Sequence, residues 1–183
     1  MPVSRDTPPH NLDLVIDFVN TLDLETGVDR IATPAGLRAW LRDEGQISDE
    51  GPAPDAADVT EAIALREALR SVLLAHTRGA ADGDGGPLER VAGRGQLAAR
   101  FAPDGSMRIA PRADGFPGVL AGLLVPVAYA AMDGTWQRVK ACDAADCLEA
   151  FYDQSRNRSG RWCDMALCGN RTKVRSYRTR QTR

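Results

Sequence analysis

The sequence predicts an α+β protein in which a mainly helical N-terminal domain with a β-hairpin, residues 1–135, is followed by a small module built on four cysteines, residues 136–183. Three observations carry this reading. Apolar residues before position 80 recur at helical spacing. Pro103-Asp104-Gly105 separates two short runs, 97–101 and 107–110, with the turn chemistry of a hairpin. All four cysteines fall in the last quarter of the chain, as Cys142-x4-Cys147-x15-Cys163-x4-Cys168. Charge follows the same division. Residues 138–183 hold 11 basic and 5 acidic side chains, a net of +6, so residues 1–137 carry −8 of the total −2.

The first helix is expected to be capped by Asn11 or Asp13, with Leu14, Val15, Phe18, Val19 and Leu22 on its apolar side. Asp17, Asn20 and Thr21 form a polar patch on the other side, which reads either as a small-molecule pocket or as a buried hydrogen-bond network. Thr33-Pro34 opens a second, short helix that buries Leu37, Trp40 and Leu41 and stops at Gly45. A long third helix begins near Asp58, and Ala62, Leu65, Leu69, Val72, Leu73 and His76 make its core stripe. Residues 79–95 are rich in Gly and Asp and read as a surface loop with one helical turn near Pro87. Residues 118–132 are apolar but interrupted by Gly122 and Pro126, which predicts a buried helix or helix pair and not a membrane span. Residues 136–141 alternate like a strand that leads into Cys142.

Two cysteine pairs on short loops, separated by a hairpin-sized spacer, can deliver four thiolates to one tetrahedral zinc ion. A site of four thiolates leaves no open position for water, so the expected Zn2+ is structural and its energy folds the tail. Residues 148–153 supply a strand after the first pair, and Cys168 stands directly before a basic helix. That order makes the module a treble-clef-like zinc finger with four cysteine ligands.

Arg171, Arg175 and Arg178 share one face of the final helix, and Lys173 lies beside them. Arg156, Arg158 and Arg161 precede the second cysteine pair. From residue 154 to 183 there are nine basic residues and one acidic residue, Asp164, a distribution suited to the phosphates of DNA. Asn170 at the helix start suits a base edge, adenine best. Plainer roles stay open: arginines that offset the charge of the metal site, an asparagine that caps the helix, and Val174 and Tyr177 that pack on Phe151 and Trp162.

The start of the chain, residues 1–10, lacks the apolar stretch of a signal peptide, which predicts a reducing, cytoplasmic setting and argues for zinc over disulfides. An enzyme is not expected. His10 falls in a Pro-rich start, His76 finishes a core stripe, and no nucleophile and base pair or nucleotide fingerprint stands out. The expected function is a DNA-binding transcription regulator whose N-terminal domain senses a small-molecule effector or forms a homodimer. The alternative is a zinc-stabilised module that binds protein or RNA.

The run Cys168-Gly169-Asn170-Arg171, with Phe151-Tyr152-Asp153-Gln154-Ser155-Arg156-Asn157-Arg158 and Arg161-Trp162-Cys163 before it, resembles the CGNR zinc-finger family. The segment Ile16-Asp17-Phe18-Val19-Asn20-Thr21-Leu22, with Trp40-Leu41 and Gly45, is similar to the ABATE domain that precedes this finger. The resemblance implies a bacterial, stress-induced transcription regulator with a finger directed at DNA. It also implies zinc ligation by Cys142, Cys147, Cys163 and Cys168, with Asn170 and Arg171 as signature residues.

Overall fold

The structure is a computed structural model that describes residues 8–80 and 85–181, with side chains in the last helix as far as Arg175. Among the described residues, six α-helices form the N-terminal region: α1 (Leu12–Val19), α2 (Pro34–Asp43), α3 (Ala56–Arg78), α4 (Gly86–Arg94), α5 (Gly115–Gly122) and α6 (Val125–Asp133). Between α4 and α5 lies an antiparallel ribbon of β1 (Ala98–Phe101) and β2 (Met107–Ala110). A second antiparallel pair, β3 (Val139–Ala141) and β4 (Ala150–Tyr152), precedes the last helix α7 (Asn170–Gln181).

Local chemistry explains most boundaries. At α2, Thr33 Oγ1 accepts from Gly36 N at 3.1 Å, and Pro34 takes the first helical turn, where a missing N–H costs nothing. Helix α3 begins slightly earlier than expected. Asp55 accepts from Ala57 N and Asp58 N while the Asp58 carboxylate accepts from Asp55 N, so the capping box is Asp55 with Asp58. The left-handed Gly79, φ 67°, closes the helix. Asn11 stands at the N-cap of α1 but makes no side-chain capping bond. Helix α4 has nine residues where one turn was expected, because Val91 is buried and Leu88 and Ala92 pack against the core. His10 is ordered. Its Nε2 lies 2.6 Å from Asp133 Oδ2.

By length and composition, residues Gly115–Asp133 are apolar enough to cross a membrane. The chain divides this stretch into α5 and α6, and it buries Leu120, Ala121, Leu123, Leu124 and Ala130 in the core.

One core joins α1, α2, α3, α5 and α6, and it continues into the C-terminal segment. Trp136, Val139, Ala141 and Ala150 belong to it. The expected strand over 136–141 is a 3-10 turn, Trp136–Arg138, followed by β3. That turn seats Trp136 edge-on to His76, with ring centroids 5.4 Å apart. Strand β3 runs along α3. His76 Nδ1 donates to the Val139 carbonyl at 2.9 Å and Thr77 Oγ1 donates to the Ala141 carbonyl at 2.6 Å. Burial lowers the His76 pKa, which keeps the ring neutral. On the other side, the Asn20 amide donates to the Ala150 carbonyl at 3.0 Å and accepts from Ala150 N at 2.7 Å, as a neighbouring strand would. The division at 135/136 therefore falls inside a continuous core.

Two arginines of α3 tie the parts together. Arg66, 2% exposed, forks onto Asp29 at 2.8 and 2.9 Å and donates to Thr21 Oγ1 at 3.2 Å. Arg70 donates to the Val19 carbonyl at 2.7 Å and to the Leu148 carbonyl at 2.9 Å. Buried cations are held this way only when each donor finds an acceptor.

Candidate metal centre

Cys142 and Cys147 flank the turn that joins β3 to β4. Cys142 N donates to the Glu149 carbonyl at 2.8 Å, and Cys147 N and Leu148 N both donate to the Ala144 carbonyl. Leu148 takes a left-handed conformation, φ 51°, to turn the chain back into β4. Cys163 follows a polar loop, and Cys168 sits in the π turn Met165–Gly169 that opens α7. Asp164 caps that turn by accepting from Leu167 N at 2.9 Å.

These elements bring the four sulfur atoms within 4.8 Å of one another. Cys147 and Cys163 Sγ are 3.6 Å apart, and Cys163 and Cys168 Sγ are 3.7 Å apart. A tetrahedron with zinc–sulfur bonds near 2.3 Å has edges of about 3.8 Å. A disulfide needs about 2.0 Å, and all four cysteines are free. Burial and the nearby Cys142 thiol push the Cys147 pKa up to about 12, and burial raises that of Cys163 as well. Four sulfur atoms this close become thiolates together only around a cation that offsets their mutual repulsion. The donor set fits one zinc ion, which would be held by sulfur alone and would supply folding energy.

The loop before Cys163 is held from beneath by a buried ion pair. Lys140 Nζ donates to Asp153 Oδ2 at 2.7 Å and to the carbonyls of Arg158 and Gly160 at 2.6 and 3.0 Å. Asp153 also accepts from Ser155 N and Gly160 N. A Cβ at Gly160 would stand 2.8 Å from this carboxyl group, so the close approach requires glycine. Burial pushes the Asp153 carboxyl up, but the Lys140 ammonium and the two N–H groups outweigh it and hold the pKa at about 2, against 3.8 ordinarily. Stability from this group is complete above pH 4 and is lost as pH falls towards 2, a loss of about 2 kcal/mol. Lys140→Met is expected to cost about 3–5 kcal/mol by leaving the carboxylate buried and unpaired, and thermal melts at pH 7 check it. Melting the same variant near pH 2, where a carboxyl without its lysine is protonated, is expected to narrow the gap.

The basic residues divide into two groups. Arg171 Nη2 lies 3.5 Å from Cys168 Sγ, and Arg171 also meets Glu25 of the N-terminal region at 3.2 Å and Asp146 at 3.6 Å. Arg175, on the same face, meets Asp146 at 2.9 Å. Arg161 pairs with Asp143, which Arg78 of α3 also meets at 2.9 Å. Asp143 and Asp146 are held below the usual carboxylate range by these guanidinium groups, against burial at Asp143. In contrast, Arg156, Arg158 and Lys173 are exposed, and among the described residues their charged groups meet no carboxylate. The Arg178 side chain, like that of Tyr177, lies outside the described residues. Asn170 donates its amide to the Ala166 carbonyl at 3.0 Å, which satisfies a carbonyl at the helix entry. Val174 is half exposed and is not packed in either core cluster.

Asp17, Asn20 and Thr21 are not gathered around one cavity. Asp17 is exposed, Thr21 is buried with Oγ1 donating to the Phe18 carbonyl at 2.8 Å, and Asn20 is spent on Ala150. Asn20 does line a cavity of about 290 Å³ between α1 and the cysteine turn, together with Leu22, Asp23, Glu25, Cys147 and Glu149.

A family model described as CGNR zinc finger matches residues 138–181, and the model ABATE, described as "Putative stress-induced transcription regulator", matches residues 12–134. The chain belongs to the ABATE family. In this ABATE protein the CGNR finger follows directly, and its four-cysteine cluster is the one built above. The family description is regulatory and not enzymatic. No curated protein matches this ABATE chain.

Proposed function

We propose that this protein is a cytoplasmic DNA-binding transcription regulator whose C-terminal segment is folded by one structural zinc ion on Cys142, Cys147, Cys163 and Cys168. The observation that carries the DNA reading is that three exposed cations of the finger, Arg156, Arg158 and Lys173, meet no carboxylate among the described residues. Arg161 and Arg175 already pair with Asp143 and Asp146 of the cysteine turn, and Arg171 with Glu25 of the N-terminal region and Cys168 Sγ, so their first task is to brace the metal centre and offset its thiolates, with Arg171 also tying it to the body. Asn170, with its donor on Ala166, serves the helix entry.

Phosphate contacts release counterions, so log affinity falls with log salt at about −0.9 per contact. Replacing Arg156, Arg158 and Lys173 together by alanine is expected to flatten the slope of duplex binding by about 2.7. Anisotropy titrations of the zinc-loaded protein over a salt series measure it. Exposed Leu167 and Val174 beside the finger favour the second reading, a zinc-stabilised protein-interaction module. A folded, zinc-loaded protein that binds no duplex at about 50 mM salt would sink the DNA reading and favour that one instead.

A further inference from the structure

The acidic body contains an island of opposite charge. Residues 90–112 hold five arginines and one acidic residue, Asp104, within a segment, 1–137, whose net charge is −8. Arg94 is used internally on Glu61. Arg100 and Arg108 are different. They face each other directly across the β1–β2 ribbon, both are exposed, and among the described residues neither meets a carboxylate.

Like charges directly opposite in an antiparallel pair destabilise it, and among the described residues this ribbon has only two strands. Its base is nevertheless fixed. Ile109 N donates to the Tyr129 hydroxyl of α6 at 2.8 Å, and Arg112 N donates to the Gly95 carbonyl at 3.1 Å. Exposure rises towards the turn, where Phe101 is 76% and Met107 45% exposed and the two are cross-strand partners. Both arginines, both apolar residues and Ser106 line a depression of about 220 Å³.

We propose that the β1–β2 ribbon is a second DNA contact, in which Arg100 and Arg108 grip backbone phosphates of a duplex. This rests on the DNA-binding reading above. A two-stranded ribbon has the width of a major groove, and a guanidinium group presents a fork of donors that matches phosphate. An anionic partner removes the repulsion that the free ribbon carries. A second copy of this chain does the reverse, because pairing ribbons edge to edge brings two more arginines to the same row.

The test uses the full-length, zinc-loaded protein and the double variant Arg100→Ala, Arg108→Ala. The variant is expected to melt no lower than the parent, since a like-charge pair is gone, yet its salt slope flattens by about 1.8. Raising salt from about 50 to about 200 mM should then weaken the parent about 12-fold more than the variant. An unchanged slope and affinity in this variant, while the Arg156, Arg158, Lys173 variant loses its share, overturns the ribbon contact and leaves the DNA reading standing. So does a change from dimer to monomer in sedimentation without a change in slope, which assigns the ribbon to a copy interface. If the parent binds no duplex, both fail.

Discussion

Cys168→Ser is expected to abolish tight zinc binding and to unfold the chain from about residue 161 onward, while α1 to α6 keep their helical signal. Structural zinc in small fingers is worth roughly 10–16 kcal/mol of apparent binding energy, which is folding energy for a segment with little core of its own. Here the apolar cluster around the cysteines consists, among the described residues, of Cys142, Ala144 and Cys168 with Cys147, Trp162 and Cys163 around them. Without the ion, the π turn that carries Cys168 and opens α7 loses its anchor. Strands β3 and β4 lie in the main core and should persist. Metal analysis of reductively purified protein should find one zinc per chain in the parent and far less in the variant, with protease cleavage confined to the C-terminal segment. A parent with two disulfides and no metal would sink the assignment, as would a variant that keeps its zinc and its protease resistance.

Ending the chain at Gly134 is expected to leave a body that does not melt cooperatively. The cut follows the sequence division, but it removes Trp136, Val139, Ala141 and Ala150 from the core. Truncating a buried tryptophan alone costs about 3–5 kcal/mol, and each larger buried aliphatic side chain adds about 1.5–3. It also strips acceptors from Arg70, which loses Leu148, and from Asn20, which loses Ala150. Domains of this size are stable by only about 5–15 kcal/mol, so the sum is enough to unfold it. Ending the chain after Gly160 instead keeps β3, β4 and the Lys140–Asp153 pair, and should restore a cooperative transition. A sharp melt for the shorter chain, with native helicity, would show that the body is autonomous.

What could be read from the sequence was what local chemistry dictates. Thr33-Pro34, the apolar stripe of α3, the Pro103-Asp104-Gly105 turn and the cysteine spacing each specify their structure within a few residues. Long-range pairings between polar groups were not readable. Arg66 and Arg70, at i and i+4 on a helix with Glu67 between them, look like a solvated face, yet both are buried because Asp29, Val19 and Leu148 happen to meet them. Asp153 lies inside the family signature, but nothing in its spacing reveals that Lys140, one of two lysines in the chain, would sit beneath it. The cluster of basic residues near the finger was legible, but not which of them are paired, because only the fold brings Asp143 and Asp146 of the cysteine turn and Glu25 of the N-terminal region to Arg161, Arg175 and Arg171.

The turn between β3 and β4 belongs to two structures at once, since its strands pack on α1 and α3 and its ends carry Cys142 and Cys147. Thermodynamic reciprocity follows from that sharing. Whatever stabilises the packing of β3 and β4 on the helical core would raise the affinity for the ion, and the ion in turn would make local opening of that packing less favourable. Loading of the four cysteines would thereby be felt by a helix that contains no ligand to the metal.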